Sequence, residues 1–435
     1  MHLFLFSLLK PYLIRETFLR EGEPLFLSIN DLGVETMDNR WRTVILNTLV
    51  VASGFGTMHM LEKFKDAVIA HYGITDAMMG YQQTAYVVGL FVAFLLGGTS
   101  LFKGSFKRSV ALIVSFAAIP QFLIPFMPNW WGVVALRFFQ GFIVALVAVF
   151  SNQIARLFVA ERPFAKGIIL SGIFWGGIYG IKLTKWAGGK SAPWPEVQKV
   201  FLLSAAVMYV MLAVWWLFTE DFEIPKEKHS LGKTNVWKMP FTWVFGFTFF
   251  PALWIVFTLG SFTLHNVDFS DSQVENLVMT LEVSMALWSI IMGYLGYRLS
   301  LKNTSNRGLF KAIVSVMTLS YAVTFIGLFI LWKAISANDY TLALLGIAIT
   351  GVVQGTGPAF WTTAPAAYPK DIYPEASFAL GLISNSANAV APNVMFVLVH
   401  SINTGMIIYL LMAALGIATL FASSRMKLPV EELSG

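Results

Sequence analysis

Long apolar runs, separated by short charged or turn-forming stretches, dominate the chain. Each run is about 20 residues long, the length that an α-helix needs to cross the hydrocarbon layer of a bilayer. The charged residues, Pro and Gly between the runs predict twelve membrane spans, near residues 42–62, 77–101, 108–128, 130–156, 164–187, 198–218, 239–265, 273–299, 308–332, 341–366, 374–400 and 403–422. The pattern therefore predicts an all-α membrane protein with twelve transmembrane helices.

The widest polar break in the chain, from Thr219 to Lys238, divides the predicted spans six and six. Long charged breaks of this kind are typical of linkers between two packed units. The sequence therefore predicts an N-terminal six-helix bundle at residues 40–218, a cytoplasmic linker at 219–238, a C-terminal six-helix bundle at 239–424 and a cytoplasmic tail at 425–435.

Residues 1–39 do not fit the pattern of spans. The stretch from Met1 to Ile14 is apolar but too short to cross a bilayer, and the residues that follow it are mixed and charged. Three interpretations stay open: a cytoplasmic amphipathic segment on the membrane surface, a signal peptide, or a translation start at Met37 just before the first span. The signal peptide is disfavoured, because no positive charge precedes the apolar run and no small-residue cleavage site follows it.

Composition excludes a water-soluble fold. Hydrophobic residues make up 57% of the chain and charged residues only 12%, against roughly 25% charged residues in an ordinary soluble domain. The net charge of +6 does not indicate nucleic-acid binding, because the basic residues lie in short loops between the spans. With both termini in the cytoplasm, 22 of the 30 lysines and arginines fall on the inner side. This distribution predicts that orientation in the cell (inner) membrane.

No motif of the chain indicates an enzyme. There is no cysteine, the six histidines are not spaced as metal-ligand pairs, and neither a nucleophile elbow nor a phosphate-binding loop occurs. We therefore expect no cofactor, no metal site and no ATP hydrolysis by this chain. Two alternatives stay open, a membrane-embedded enzyme and a non-transporting receptor on a transporter-like scaffold.

An internal repeat supports the division into two halves. A shift of 214 residues without a gap aligns the fourth span and the loop after it with the tenth span and its loop. Seven identities fall in one window of 28 residues, with Gln140, Gly141, Ala145, Glu161, Phe164, Ala165 and Gly167 matching Gln354, Gly355, Ala359, Glu375, Phe378, Ala379 and Gly381. Duplicated bundles are common in transporters.

Several of these motifs resemble the major facilitator superfamily over residues 40–424. The motifs are the Arg137-x-x-Gln140-Gly141 stretch of the fourth span and the Glu161-Arg162-x-x-Ala165-x-Gly167 start of the fifth. The family's basic loop after the second span is partly kept, with Gly104, Lys107 and Arg108 present and Leu101 in place of its Asp. The resemblance implies two pseudo-symmetric bundles and a secondary transporter that moves a small-molecule substrate across the lipid bilayer by alternating access.

Two further stretches, Asn39-Arg40-Trp41 and Met239-Pro-Phe-Thr-Trp243, resemble the organic-anion branch of that family, which contains oxalate and monocarboxylate carriers. The resemblance implies an organic anion as substrate and symport with a proton or another coupling ion. An efflux carrier for amphipathic drugs or metabolites stays open, since spans 8 and 11 hold no cation beyond their ends. We expect the protein to be a monomer.

Charged residues deep in a membrane span are costly and are therefore candidates for function. Glu282 lies roughly 13 Å along the eighth span at 1.5 Å per residue. We expect it to carry a proton or face a cation, with a structural carboxylate as the alternative.

Arg137, roughly 10 Å deep in the fourth span, occupies the place at which the family has an Arg associated with proton coupling. The alternative is a fixed charge that packs spans 1 and 4. Its candidate partners are Glu62 and Asp66, with His59 nearby.

Polar and aromatic side chains near mid-span are candidates for binding the solute. In the fifth span Trp175, Tyr179 and Lys182 share one helical face, an arrangement suited to an anionic or partly aromatic solute. Ordinary packing aromatics below a snorkelling lysine are the alternative. The other substrate-binding candidates are Tyr86, Gln140, Trp254, Gln354, Asn385 and Asn388.

Overall fold

The computed structural model describes residues 39–58, 60–97, 104–154, 157–158, 161–224, 235–260, 267–303, 305–369, 372–399 and 401–433. Three of the predictions fall outside these residues. They concern the N-terminal segment with its possible start at Met37, the central part of the linker, and His59.

The first half of the described chain is built from helices joined by short turns. Its elements are, in order, α1 (Asn39–Phe55), α2 (Met60–Lys63), α3 (Lys65–Tyr72), α4 (Asp76–Gly97), β1 (Gly104–Ser105), α5 (Phe106–Leu123), α6 (Trp130–Ile154), α7 (Arg162–Trp186), α8 (Trp194–Phe218) and β2 (Glu223–Ile224). Short 3-10 turns lie at Ile124–Phe126 and Gly189–Ser191. β1 and β2 form an antiparallel ladder of two residues each, with Gly104 opposite Ile224.

The second half repeats this helical construction. Its elements are, in order, α9 (Pro240–Gly246), α10 (Phe250–Thr258), α11 (Asp271–Ser300), α12 (Asn306–Ser336), α13 (Tyr340–Thr350), α14 (Thr356–Phe360), α15 (Thr363–Ala367), α16 (Tyr373–Asn393), α17 (Ile402–Ser424) and α18 (Pro429–Leu433). Tight 3-10 turns lie at Val236–Lys238 and Gly351–Gly355, and a wider π turn at Val394–Leu398.

Helices occupy every interval in which the sequence predicts a span. Among the described residues, eight helical stretches are long and apolar enough to cross a membrane, and α6 adds a shorter apolar stretch, Trp130–Val144. A helical, multi-pass membrane protein is thereby confirmed, whereas the count of twelve spans stays a prediction. Several predicted spans are not continuous: the first is interrupted after Phe55, the seventh between Gly246 and Phe250, and the tenth between Phe360 and Thr363.

Side-chain caps and prolines place the starts of the helices. Ser270 accepts a hydrogen bond from the N–H of Gln273, whose side chain bonds back to the Ser270 N–H at the start of α11. Ser305 and Ser401 cap α12 and α17 in the same way, by accepting an N–H that the first turn leaves unpaired. Each helix from α7 to α10 carries a proline at its first or second position, where a missing N–H costs nothing.

Glycines bring pairs of helices into close backbone contact. A Cβ added at Gly293 of α11 would lie 2.7 Å from the backbone oxygen of Pro163 at the start of α7. On the same pair of helices the Ser289 hydroxyl donates to the backbone oxygen of Gly167 at 3.0 Å. Small residues permit such contact between helices in a membrane, where no hydrophobic effect drives them together.

The hydrophobic core follows the two halves of the chain. One cluster of buried residues comes from residues 236–428, joined by Phe174 and Ile181 of α7. The other two come from residues 41–215, and Tyr297 of α11 joins one of them. Since α7 and α11 each reach into the other half's core, the pair lies at the boundary, and α4 and α16 form a second contact there.

The start of the predicted linker is fastened to the loop before α5. Asp221 accepts hydrogen bonds from the Ser105 hydroxyl at 2.5 Å and from the backbone N–H of Lys107 at 2.9 Å. Burial alone would raise the pKa of the Asp221 carboxyl, but these bonds, a backbone N–H of Phe222 and the Lys107 charge hold it below its ordinary value. Asp221 therefore supplies a carboxylate to a loop in which Leu101 stands in place of the family's Asp.

Candidate functional site

A cavity opens at the boundary between the two halves. The empty space inside its wall, including its open mouth, is about 960 Å³. Both halves contribute to its wall, which consists of Phe55, Met58, Leu90, Leu170, Ile173, Phe174, Gly177, Phe249, Leu253, Val256, Phe257, Glu282, Met285, Gln354, Trp361, Asn385 and Asn388. The wall is therefore a largely apolar and aromatic surface that carries a few polar side chains.

Four polar side chains lie in this largely apolar wall. They are the carboxylate of Glu282 on α11, the amide of Gln354 in the 3-10 turn after α13, and the amides of Asn385 and Asn388 on α16. Among the described wall residues Glu282 is the one formal charge, and no lysine, arginine or histidine stands with it. The wall therefore offers more acceptor oxygens than positive donors.

Glu282 occupies space that a glycine leaves open. A Cβ added at Gly177, on the facing helix α7, would lie 2.7 Å from Oε2 of Glu282 and 2.8 Å from its carboxyl carbon. The carboxylate is thus seated against the α7 backbone. Lys63, at the end of α2, lies within electrostatic range of Glu282 and of Glu275 on the same helix.

Asn385 and Asn388 form a short chain of hydrogen bonds on one face of α16. The Asn385 side-chain amide donates to the backbone oxygen of Gly381 at 2.8 Å, and the Asn388 amide donates to Oδ1 of Asn385 at 3.1 Å. Asn388 is only 2% exposed, and within the described part of the chain no donor reaches its Oδ1. A buried oxygen without a partner costs about 1–3 kcal/mol, so Asn388 is an acceptor held ready at the cavity wall.

Arg137 lies in a different place, inside the first half. Its side chain is 0% exposed, and its Nε donates to Oε1 of Gln82 at 2.8 Å. Its two terminal nitrogens donate to the backbone oxygens of Thr57 and Met58 at 3.2 and 2.5 Å. These oxygens lie in the break between α1 and α2, where regular helical hydrogen bonding is lost and the Thr57 oxygen accepts only a long bond, 3.4 Å, from the N–H of Met60. Arg137 therefore supplies hydrogen-bond donors to this break.

The Arg137 network continues through the glutamines of neighbouring helices. Arg137 also donates to Oε1 of Gln140 at 2.5 Å, Gln140 donates to Oε1 of Gln121 at 2.6 Å, and Gln121 donates to the Ser204 hydroxyl at 2.5 Å. The ring of Tyr86 covers the guanidinium at 4.4 Å. The network joins four helices, α4, α5, α6 and α8, to the first span.

At the break in the seventh span, an uncharged side chain forms hydrogen bonds with the backbone groups. The Tyr321 hydroxyl on α12 donates to the backbone oxygen of Thr248 at 2.6 Å and accepts the N–H of Ala252 at 3.1 Å. Each half thus closes the break in its own first span with one fully buried polar side chain, Arg137 or Tyr321.

The sequence profile of the Major Facilitator Superfamily matches residues 44–392, most of the chain. The chain belongs to the major facilitator superfamily. The protein is therefore a membrane transporter that lies in the lipid bilayer and binds a small-molecule substrate. It matches no curated protein sequence. The match confirms the family, and it leaves the organic-anion branch a prediction.

In this major facilitator, four of the sequence-predicted residues line the cavity together: Glu282, Gln354, Asn385 and Asn388. Tyr86 and Gln140 instead belong to the Arg137 network. Trp254 is buried in the core of the second half, next to Phe250 at a ring distance of 5.9 Å, and does not belong to the cavity wall.

The predicted stripe on the fifth span does not form one surface toward the cavity. Trp175 packs against the core of the second half, Tyr179 fits against Gly56 in the first half, and Lys182 is exposed. Arg137 hydrogen-bonds to neither of its predicted partners among the described contacts. Glu62 acts on it only at electrostatic range, and the exposed Asp66 accepts a bond from Ser191 at 3.4 Å.

The cavity also uses residues that sequence reasoning missed. Trp361 and Phe249 supply aromatic wall, and Gly177 supplies the space for Glu282. With 14 tryptophans and 38 phenylalanines in the chain, no sequence signal separates a wall aromatic from a packing one. For Gly177 a signal exists: it lies in the glycine-rich stretch of the fifth span, which indicates close helix contact.

Proposed function

We propose that this major facilitator is a secondary active transporter of the cell (inner) membrane, which carries a small organic solute by alternating access and couples the movement to protons at Glu282. In this proposal two six-helix bundles, at residues 40–218 and 239–424, act as a monomer with both termini in the cytoplasm. The observation that carries it is a cavity walled by both halves with one carboxylate among its wall residues. Binding sites between repeated halves are typical of transporters that alternate access.

The contacts around the cavity suit a boundary that opens and closes. At the predicted outer end, α7 and α11 are joined by two exposed ion pairs, Lys185–Glu275 at 3.1 Å and, through the turn after α7, Lys190–Asp271 at 3.2 Å. Exposed pairs contribute at most about 1 kcal/mol each. At the other end the rings of Phe164 and Tyr294 meet edge to face at 5.6 Å. Ion pairs thus join the two helices at the outer end and aromatic rings at the other, which supports opening at modest cost.

Transport without nucleotide is the first test of the proposal. A panel of organic anions, cations and neutral solutes is screened for thermal stabilisation of the purified protein, since a ligand that binds the folded state raises its apparent stability. Radiolabelled hits are then followed into proteoliposomes under an imposed pH gradient. We expect accumulation that follows the gradient with no ATP present. Uptake that requires ATP would contradict a secondary transporter.

The role of Glu282 is tested by Glu282→Gln. An amide keeps the shape of the side chain but does not titrate, so accumulation driven by the pH gradient should be lost while solute exchange is partly kept. Glu196→Gln, the same change in the first turn of α8 at a carboxylate that pairs with the exposed Lys199, lies outside the described cavity wall and is the matched control, which should keep both. Gradient-driven uptake by Glu282→Gln at the wild-type level and pH dependence would remove Glu282 from the coupling mechanism.

A further inference from the structure

The charges and hydrogen-bond acceptors of the cavity wall indicate which class of solute the cavity binds. We propose that the cavity binds an amphipathic organic amine, whose ammonium N–H groups are received by the Glu282 carboxylate and by Oδ1 of Asn388. The inference rests on the proposed transport function and names the chemistry of its solute. It replaces the organic anion implied by the resemblance to the carboxylate carriers.

The first step is the sign of the charge in the wall. An organic anion would need a positive side chain to offset the cost of leaving water, and no such side chain lines the described wall. Glu282 provides the opposite charge. Lys63 lies within electrostatic range of Glu282 but outside the wall. It therefore adds no donor to the wall.

The second step is the unpaired acceptor. In the Asn pair of α16 the Asn388 amide donates to Oδ1 of Asn385, while Oδ1 of Asn388 itself is left to accept. This oxygen is buried and has no donor among the described residues. A primary or secondary ammonium carries several N–H donors, so it satisfies a carboxylate and an amide oxygen at the same time. A carboxylate solute has no donor to offer either group.

The third step is the apolar remainder of the wall. Aromatic, aliphatic and methionine side chains make up most of it. The face of Trp361 suits a cation, because the ring quadrupole attracts positive charge. Met58 and Met285 are flexible and adapt to apolar groups of different shape. The solute is therefore expected to join one ammonium group to an aromatic or alkyl body.

The test uses three probes that share one body and differ in charge: phenylbutylamine, phenylbutanol and phenylbutanoate. Binding of each radiolabelled probe to the purified full chain is measured by scintillation proximity. We expect the amine to bind about tenfold or more tighter than the alcohol, as a hydrogen bond to a charged group provides, and the carboxylate to bind weakest. Equal affinity for amine and alcohol, or preference for the carboxylate, would overturn the inference.

Two variants locate the preference in the wall. Glu282→Gln should remove most of the advantage of the amine over the alcohol, and Asn388→Leu should weaken amine binding about tenfold with little effect on the alcohol. Glu196→Gln on α8, whose carboxylate pairs with the exposed Lys199 outside the described wall, is the matched control and should bind as the wild type does. If Glu282→Gln does not yield folded protein, the amine-to-alcohol ratio in Asn388→Leu decides. An amine preference that survives in every folded wall variant would place the amine elsewhere and contradict the inference.

Failure of this inference is distinguishable from failure of the transport proposal. A protein that accumulates some other solute under a pH gradient but shows no preference for the amine overturns the substrate class alone. A protein that binds the amine through Glu282 and Asn388, yet moves no solute under any gradient, supports the binding site and overturns transport.

Discussion

Gln140 and Gln354 occupy equivalent positions in the internal repeat, 214 residues apart, and the two halves use them differently. Gln140 accepts from Arg137 and donates to Gln121, and so belongs to a chain of bonds that ends at Ser204. Gln354 lies on a 3-10 turn at the wall of the cavity, together with Glu282 and Asn388. One repeated side chain thus belongs to a buried hydrogen-bond network in the first half and to the cavity wall in the second.

The Arg137 network and the polar side chains of the cavity wall differ in how many of their hydrogen-bonding groups have partners. In the first half Nε and both terminal nitrogens of Arg137 donate to acceptors, and the glutamines continue the chain of hydrogen bonds across the bundle. In the cavity Oδ1 of Asn388 has no donor within the described residues. A saturated buried network stabilises one arrangement of helices. An unsaturated one costs stability at a place where a ligand repays it.

The largest expected effect is at Arg137. Arg137→Leu removes the donor to the oxygens of Gln82, Gln140, Thr57 and Met58, and we expect a loss of about 3–5 kcal/mol in the free energy of unfolding. Arg137→Lys should lose most of this too, because a single ammonium does not reproduce the guanidinium fork. Thermal unfolding in detergent measures both. If Arg137→Lys keeps wild-type stability but loses proton-driven uptake, then Arg137 is a coupling residue. The contrast between a structural network in the first half and the cavity wall in the second would then be wrong.

The same substitution, Gln to Leu, at the two repeated glutamines compares the two halves directly. Gln140→Leu leaves Oε1 of Gln121 and one N–H of Arg137 unpaired, so it should cost about 1–3 kcal/mol of stability. Gln354→Leu should change stability by less than about 1 kcal/mol and act on solute binding instead. Melting temperature and probe affinity are measured side by side for the two variants. Equal losses of stability would show that the halves use the pair alike.

Gly177 tests the seat of Glu282 without touching the carboxylate. The Cβ of Gly177→Ala would displace Glu282 from the α7 backbone, and we expect amine affinity and gradient-driven uptake to fall several-fold, at a stability cost of about 1 kcal/mol. Gly80→Ala on α4 is the matched control, since an added Cβ there meets nothing within 4 Å. It should leave uptake unchanged. Normal uptake by Gly177→Ala would mean that the position of Glu282 is not limiting.

The smallest effect on stability is expected at Asn388. Asn388→Leu removes a buried oxygen that has no donor among the described residues, but it also removes the amide that donates to Oδ1 of Asn385. The two effects oppose each other, so the free energy of unfolding should change by less than about 1 kcal/mol. Asn385→Leu breaks the bonds to Gly381 and Asn388 and should lower it. A clear loss of stability in Asn388→Leu would show that its oxygen is satisfied in the folded protein.

The sequence predicts the class and much of the layout of this protein. Apolar runs of helix-spanning length locate the helices, because the bilayer demands length and hydrophobicity whatever the packing. The caps at Ser270, Ser305 and Ser401 are local features, since a side chain reaches only its own first turn. Glu282, Gln354, Asn385 and Asn388 stand out in sequence because polar groups are costly in a membrane, and all four reach the cavity.

The tertiary structure alone decides which buried polar groups are structural and which face a solute. The cost of burying Arg137 or Glu282 is visible in the sequence, but the groups that offset it come from other helices, as Gln82 does for Arg137. The breaks in the first and seventh spans also depend on distant partners, Arg137 and Tyr321, which satisfy backbone groups that the helices release. Hydropathy is a property of one segment, whereas hydrogen-bond saturation is a property of the assembled bundle.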